Sequence, residues 1–123
     1  MTARADAATV FITNMSPAHS YDSAARYGAV RPVTSGNYPV FKSERLMEEV
    51  IRSLAYSASN DYLLFSGSSF VAGICLAVWL HMHKECHALL WDPKQRAYVP
   101  RIIKREDIQM QVEKIKDQLE AGK

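Results

Sequence analysis

Polar side chains follow two apolar runs that predict buried strands. The first run, residues 9–13, is β-branched and aromatic, and the second, residues 62–65, is continuously apolar. Because ligands of parallel sheets bind beyond the carboxyl ends of the strands, we expect the residues that follow both runs to form one binding edge. These residues are Asn14, Ser16, His19 and Tyr21 after the first run, and Ser66, Gly67, Ser68 and Ser69 after the second.

The cluster at residues 66–69 has the composition of a site for a phosphate or a ribose. Its serines offer hydroxyl donors, Gly67 lets a ligand approach the backbone, and the N-terminus of a following helix favours an anion. A simple helix cap would have the same composition. The segment has neither the glycine and lysine spacing of a P-loop nor the glycine spacing of a nucleophile elbow.

Aromatic and basic residues are expected near the same edge. His19 and Tyr21 are suited to line a site by hydrogen bonding and stacking, although a solvated loop would have the same composition. Trp91 ends a later apolar run, where it would serve either as core or as a stacking platform. Arg96 follows in a turn and is a candidate partner for an anion. The predicted ligand is therefore a nucleotide-like small molecule.

The sequence offers less support for catalysis or metal binding. A triad drawn from Ser66, His19 and Asp92 rests on residue type alone, so we predict no catalytic residue. His83 and His87 have the spacing of a metal-binding pair on a helix, but we expect a helix-to-strand change between them. Since no second Cys/His cluster would complete such a site, we expect no metal and no cofactor.

Length and composition restrict the class of protein. The chain has 123 residues, 48% hydrophobic and 23% charged, which fits one globular domain and excludes disorder. A net charge of +2 gives no reason to expect a long nucleic acid as partner. The uncharged residues 62–80 are interrupted by serines and a glycine, so we expect no membrane span. Two cysteines, which we interpret as core thiols, and no secretory signal near Met1 favour the cytoplasm.

Apolar runs of strand composition alternate with helical periodicity. This alternation predicts an α/β fold, a small Rossmann-like layered sheet with a parallel centre, an antiparallel edge hairpin and a C-terminal helix. We expect one domain over residues 1–103, with a loose start at residues 1–7. The expected strands cover residues 9–13, 29–34 (at an edge because of Pro32), 62–65, 87–91 and 97–103. The first expected helix covers residues 20–27 and is stopped by Gly28, and residues 35–39 form a loop. The second helix is capped by Ser43 and has one apolar face, formed by Leu46, Met47, Val50, Ile51 and Leu54. The third covers residues 69–84 and should be deeply buried.

The C-terminal segment, residues 104–123, predicts an amphipathic helix with a narrow apolar seam. Ile108, Val112, Ile115 and Leu119 recur at spacings typical of a coiled coil. The helix would either pack along its own sheet or pair with another subunit. Because a small sheet has limited surface to cover it, we predict a homo-oligomer, most simply a dimer.

Three segments of the chain resemble a group of small proteins from tailed phages and prophages. They are AHSYDSAARYG at residues 18–28, DYLLFSG at residues 61–67, and LLWD at residues 89–92 together with Tyr98. The resemblance covers most of residues 9–103. Small phage α/β proteins of this size include antagonists of nucleotide-based bacterial immunity, and residence in the cytoplasm of a bacterial host would follow.

We therefore expect a non-enzymatic protein that binds a nucleotide-derived small molecule. Such a protein would act as a sponge for a bacterial immune signal, a cyclic nucleotide or an ADP-ribose derivative. One alternative is an enzyme that cleaves the signal, with His19 as acid or base and Ser66 or Ser68 positioning the substrate. A second alternative is a protein-interaction module that uses the C-terminal helix.

Overall fold

The elements follow one another with short connections. The computed structural model describes residues 7–36 and 42–122. The strands are β1 (Thr9–Met15), β2 (Ala29–Ser35), β3 (Tyr62–Leu64), β4 (Glu85–Asp92) and β5 (Ala97–Lys104). The helices are α1 (Ser43–Leu54), α2 (Ser69–Met82) and α3 (Arg105–Ala121), and a 3-10 helix covers Asp22–Tyr27. Residues 1–6 of the predicted loose start, and residues 37–39 of the predicted loop, lie outside the described residues.

The strands form one sheet in the order β2-β1-β3-β4-β5. The first four strands in this order are parallel, and β5 returns antiparallel to β4. This arrangement confirms the predicted α/β fold with a parallel centre and an antiparallel edge hairpin. The chain leaves β1 for β2 on one side and reaches β3 on the other, so the direction of winding reverses between β1 and β3. The loops after these two strands diverge there and open a crevice.

Both edge strands contain a proline. Pro32 lies in β2 and Pro100 lies in β5. A proline has no N–H to donate to a neighbouring strand, so it is tolerated where one side of the strand is unpaired. The prediction that residues 29–34 form an edge strand is confirmed.

The helices α1 and α2 cover one face of the sheet. Leu46, Val50 and Leu54 of α1 are fully buried and pack with Val71, Cys75 and Trp79 of α2. Met47 and Ile51, which we expected on the same buried face of α1, are 44% and 43% exposed, because the sheet lies against a narrower stripe. Ser43 is the first helical residue instead of the N-cap, a place taken by Lys42.

Helix α2 is less buried than its composition predicts. Its fully buried residues recur at every fourth position, and Phe70 on the opposite side is 47% exposed. The sheet and α1 cover one side of α2, and no described element covers the other. Burial raises the pKa of Cys75 and of Cys86 to about 12, which keeps both thiols protonated and confirms them as core residues.

The 3-10 helix covers part of the second face. Its Ala24 packs with Val10, Ile12, Leu64 and Leu89. The segment was predicted as a short helix stopped by Gly28, and the Gly28 N–H does donate to Ala25 O at 3.2 Å. A side chain at position 28 would also collide with the Ala8 carbonyl, so a glycine is required where β2 begins beside β1.

Within the described ranges, no helix combines the length and apolar character needed to cross a membrane.

Candidate functional site

A cleft opens at the crevice between the carboxyl ends of β1 and β3. Its volume is about 490 Å³, enough for a small organic molecule. The loop after β1, the loop after β3 and the β4–β5 hairpin form its walls. We call it the switch-point cleft, and it is lined by Ala18, His19, Ser20, Tyr21, Phe65, Ser66, Gly67, Trp91 and Tyr98.

Hydrogen bonds from β1 fix the position of Ser66. The Ser66 N–H donates to Thr13 Oγ1 at 2.9 Å, and the Thr13 hydroxyl donates to Ser66 O at 2.8 Å. The Ser66 hydroxyl shares a hydrogen bond of 2.8 Å with the Tyr21 phenol. That phenol also accepts from the Ser16 N–H at 2.9 Å. The two loops of the cleft are therefore joined through Tyr21, and Ser66 is held in one orientation.

The backbone of Gly67 lies against the side chain of Asn14. Its φ is +76°, and a Cβ built there would lie 2.6 Å from Asn14 Nδ2 and 2.8 Å from Asn14 Cβ. Asn14 is held in turn by the end of β2 and the residue after it. Its amide donates to Gly36 O, and its Oδ1 accepts from the Thr34 hydroxyl at 2.9 Å. The space that a side chain at position 67 would fill is thus occupied by Asn14.

Aromatic rings line two sides of the cleft. Trp91 and Tyr98 face each other across the β4–β5 hairpin, with ring centroids 5.0 Å apart. His19 and Tyr21 form a second edge-to-face pair with centroids 6.3 Å apart. Burial, and then the neighbouring Tyr21, raise the pKa of Tyr98, so its phenol is protonated at neutral pH. Trp91 is half-exposed and offers part of its ring to solvent.

Half of the predicted site residues line this cleft. His19, Tyr21, Ser66, Gly67 and Trp91 meet there, although they come from three separate parts of the chain.

The other predicted residues have different positions. Asn14 is buried against β2, and the Ser16 hydroxyl accepts from the Ala18 N–H. Ser68 caps α2 by accepting from the Val71 N–H. Ser69 begins α2, and Arg96 lies in the β4–β5 turn with a φ of +51°; neither lines the cleft.

Four lining residues lie outside the predicted set: Ala18 and Ser20, which flank His19, and Phe65 and Tyr98. Phe65 was assigned to the third strand, which ends one residue earlier, at Leu64. Tyr98 could have been found from the hairpin, because antiparallel pairing of the strands on either side of the turn places it opposite Trp91.

The loop after β1 also borders a second hollow, on the side of the 3-10 helix. This hollow has a volume of about 690 Å³ and shares His19, Ser20 and Tyr21 with the switch-point cleft. The remaining lining residues are Met15, Asp22, Ala25, Gly28, Ala29 and Val30. The loop after β1 therefore separates the switch-point cleft from this hollow, and a ligand in either one would contact His19.

A serine–histidine pair lies at the end of the sheet opposite the switch-point cleft. The Ser57 hydroxyl and His83 Nε2 are 2.8 Å apart, and Ser57 Oγ also donates to Leu54 O. The nearby Asp61 carboxylate accepts the N–H groups of Thr9 and Ala58. These bonds tie the ends of α1, α2 and β3 together, which is a structural role. In the described part of the chain, no three His, Cys, Asp or Glu side chains gather as a metal site.

Comparison with known proteins identifies a family. No curated protein and no solved structure matches the chain. A family model described as "Phage Pam3 gp32-like protein" matches residues 8–105, which include the whole sheet and the switch-point cleft and end where α3 begins. The chain therefore belongs to the phage Pam3 gp32-like protein family.

Proposed function

We propose that the protein binds a nucleotide-like small molecule in the switch-point cleft. The observation that carries this proposal is the coincidence of three features at one place: a reversal of strand order, an aromatic lining, and a fixed serine hydroxyl. Ligands of open α/β sheets bind at such reversals. A planar base would stack against Trp91, and a ribose would meet the hydroxyl of Ser66.

The lining favours a ligand with little charge near its base. Among the described residues that line the cleft, His19 is the only one whose side chain can carry a positive charge. A polyphosphate would require several cationic or N–H donors to replace its hydration. We therefore propose a nucleoside-like group in the cleft, with any phosphate directed toward His19 and solvent.

Binding without turnover fits this lining better than catalysis does. His19 is a candidate acid or base, but the described residues that line the cleft include no carboxylate to work with it or to orient it. The Ser66 hydroxyl is bonded to the Tyr21 phenol instead of to a histidine or a carboxylate, the side chains that usually activate a serine.

Membership of a phage family suggests what such binding would achieve. A phage protein that sequesters a nucleotide-derived immune signal of its host would need a binding cleft and no catalytic groups. We propose this role of a sponge for a cyclic nucleotide or an ADP-ribose derivative.

Isothermal titration against adenosine, AMP, ADP-ribose and cyclic dinucleotides tests the proposal. We expect heat with at least one member, and quenching of tryptophan fluorescence by the same member. Trp91→Ala should weaken binding by at least tenfold, about 1.4 kcal/mol. Tyr56→Ala is the matched control, since Tyr56 is 96% exposed and follows α1 at the opposite edge of the sheet.

The alternatives give different results. No heat with any member of the panel would reject the proposal. Recovery of a cleaved ligand after long incubation would favour an enzyme, and His19→Ala should then abolish cleavage while leaving binding measurable.

A further inference from the structure

Helix α3 packs against very little of the described part of the chain. It runs over 17 residues, Arg105–Ala121, and buries none of them. Ile108, Val112 and Ile115 are 46%, 45% and 49% exposed, and Leu119 is exposed further. Helices of this length gain most of their stability from packing an apolar face, so an unpacked α3 would be marginal in water. The apolar seam of Ile108, Val112, Ile115 and Leu119 therefore requires a partner.

The start of α3 is firmly held. The Arg105 N–H donates to Lys84 O at 2.9 Å, and the Arg105 guanidinium donates to Leu80 O at 2.8 Å. Both acceptors belong to the end of α2 and the turn after it, and β5 runs into α3 without a linker. These bonds fix the direction in which α3 leaves the sheet, and no described element covers the seam. We therefore expect the partner of the seam to lie outside the described residues.

The seam has the width and spacing of a surface for another helix. Its residues follow at intervals of four, three and four, which keeps them on a narrow stripe. A helix that packs on a sheet usually carries a broader apolar face in its sequence, as α1 does with Met47 and Ile51 beside its buried stripe. The order of these intervals is the same from either end of the helix, so the seam can pair with an antiparallel copy of itself. In an antiparallel pair of identical helices, Ile108 lies opposite the partner's Leu119, and Val112 lies opposite the partner's Ile115.

The polar residues beside the seam are compatible with this pairing. Gln109, Gln111, Lys116 and Gln118 flank it. Antiparallel pairing places Lys116 beside the partner's Gln109 and Gln111 beside the partner's Gln118, so no two like charges meet. It also opposes the two helix dipoles, which parallel pairing would align.

The sheet edges offer a poorer route to self-association. Each edge strand contains a proline, Pro32 in β2 or Pro100 in β5, which interrupts the row of donors that a second sheet would need. We infer that two copies of this chain associate through antiparallel pairing of their α3 helices along the seam. The seam is short for a protein–protein interface, so we expect dissociation on dilution.

Light scattering after gel filtration measures the association. At high micromolar concentration the wild-type mass should be twice that of the 13.9 kDa chain and should fall on dilution. Val112→Glu with Ile115→Glu should give the single-chain mass at every concentration. Met110→Glu with Ala121→Glu adds the same charge away from the seam, and this control should remain a dimer. A wild-type protein that stays monomeric would overturn the inference.

Disulfide crosslinking tests the orientation. Residues 108 and 119 are separated by about 16 Å along a helix at 1.5 Å per residue. In the antiparallel pair, an Ile108→Cys chain mixed with a Leu119→Cys chain should crosslink, and neither should crosslink with itself, because two copies of one position are then too far apart. Isotope labelling of one chain identifies the mixed dimer by mass, and the native cysteines are buried.

The other crosslinking results contradict the proposal in distinguishable ways. Self-crosslinking of each single variant would indicate parallel helices. A dimer that yields no crosslink from either variant or from their mixture would indicate that α3 packs on the partner's sheet.

Discussion

Gly67 and Asn14 show that a glycine expected to make room for a ligand also makes room for the protein's own side chain. A glycine between a strand and a helix suggests room for a ligand, and Asn14 suggests a polar group to hold it. In the structure they contact each other, and Asn14 is bonded to Thr34 and Gly36. These partners lie in β2 or directly after it, about twenty positions along the chain. Nothing in the local sequence identifies them, since the pairing of β1 with β2 brings them together.

Gly67→Ala should therefore lower stability more than a surface substitution does. A φ of +76° is unfavourable for alanine, and the added Cβ would collide with Asn14. We expect a loss of roughly 1–3 kcal/mol in the free energy of unfolding, measured by chemical denaturation. Gly73→Ala in α2 is the control, because a Cβ there meets nothing within 4 Å and should add up to about 1 kcal/mol. Equal stability of the two variants would mean that Gly67 does not contact Asn14.

The phenol of Tyr21 joins the two loops of the cleft. Tyr21→Phe leaves the Ser66 hydroxyl and the Ser16 N–H without this partner, at a cost of about 1–2 kcal/mol in unfolding free energy. Faster amide hydrogen exchange at residues 16–21 should accompany the loss. Tyr56→Phe, at an exposed position, should change neither quantity. Unchanged exchange in Tyr21→Phe would indicate that the loop is fixed by other contacts.

His83 gives the protein a pH dependence that can be traced to one residue. Burial lowers the pKa of His83 below its ordinary 6.5, and the opposing effect of Asp61 is smaller. The unfolded chain therefore binds a proton before the folded one as the pH falls. Stability from this group is complete above about pH 7 and declines as the pH falls below 6.5 toward the folded-state pKa.

Melting temperatures between pH 7.5 and 5 measure this effect. His83→Gln should reduce the decline with falling pH, whereas His81→Gln, at an exposed position near the end of the same helix, should keep it. A decline that is identical in His83→Gln and the wild type would assign it to other groups.

At the scale of elements, strands were predicted more accurately than helix faces. An apolar run flanked by turn residues locates a strand to within one or two positions, as β3 illustrates. The buried width of a helix depends on what lies against it, which the sequence of the helix does not contain. Met47 and Ile51 are exposed for this reason, and so is Phe70 of α2.

Leu64 tests the central position of β3. Its side chain is fully buried between β1 and β4, where it packs with Ile12 and Leu89. Leu64→Ala should lower the free energy of unfolding by about 2–5 kcal/mol, because the neighbouring strands cannot collapse into the space. Leu119→Ala, at an exposed position in α3, should cost much less in a denaturation experiment on dilute protein. A similar loss for both would place β3 outside the core.

At the scale of the whole molecule, alternation of strands and helices was enough to predict the fold class. The position of the cleft also followed in outline, because residues after two parallel strands must share an edge. The contribution of the hairpin followed only in part: Trp91 was expected near this edge, but its pairing with Tyr98 as a closing wall depends on β4 lying next to β3. Strand order is set by packing over the whole chain, and no single segment carries it.

The switch-point cleft and α3 lie at opposite ends of the sheet. The cleft is at the carboxyl ends of β1 and β3, whereas β5 ends beside Glu85, at the start of β4, and α3 begins there. Ligand binding and self-association should therefore be separable. A chain that ends at Arg105, which keeps the bonds to Lys84 and Leu80, should be monomeric and should bind the same members of the nucleotide panel as the wild type, within about twofold. Loss of binding together with the dimer, in a variant whose circular dichroism still indicates a folded sheet, would mean that a second copy completes the cleft.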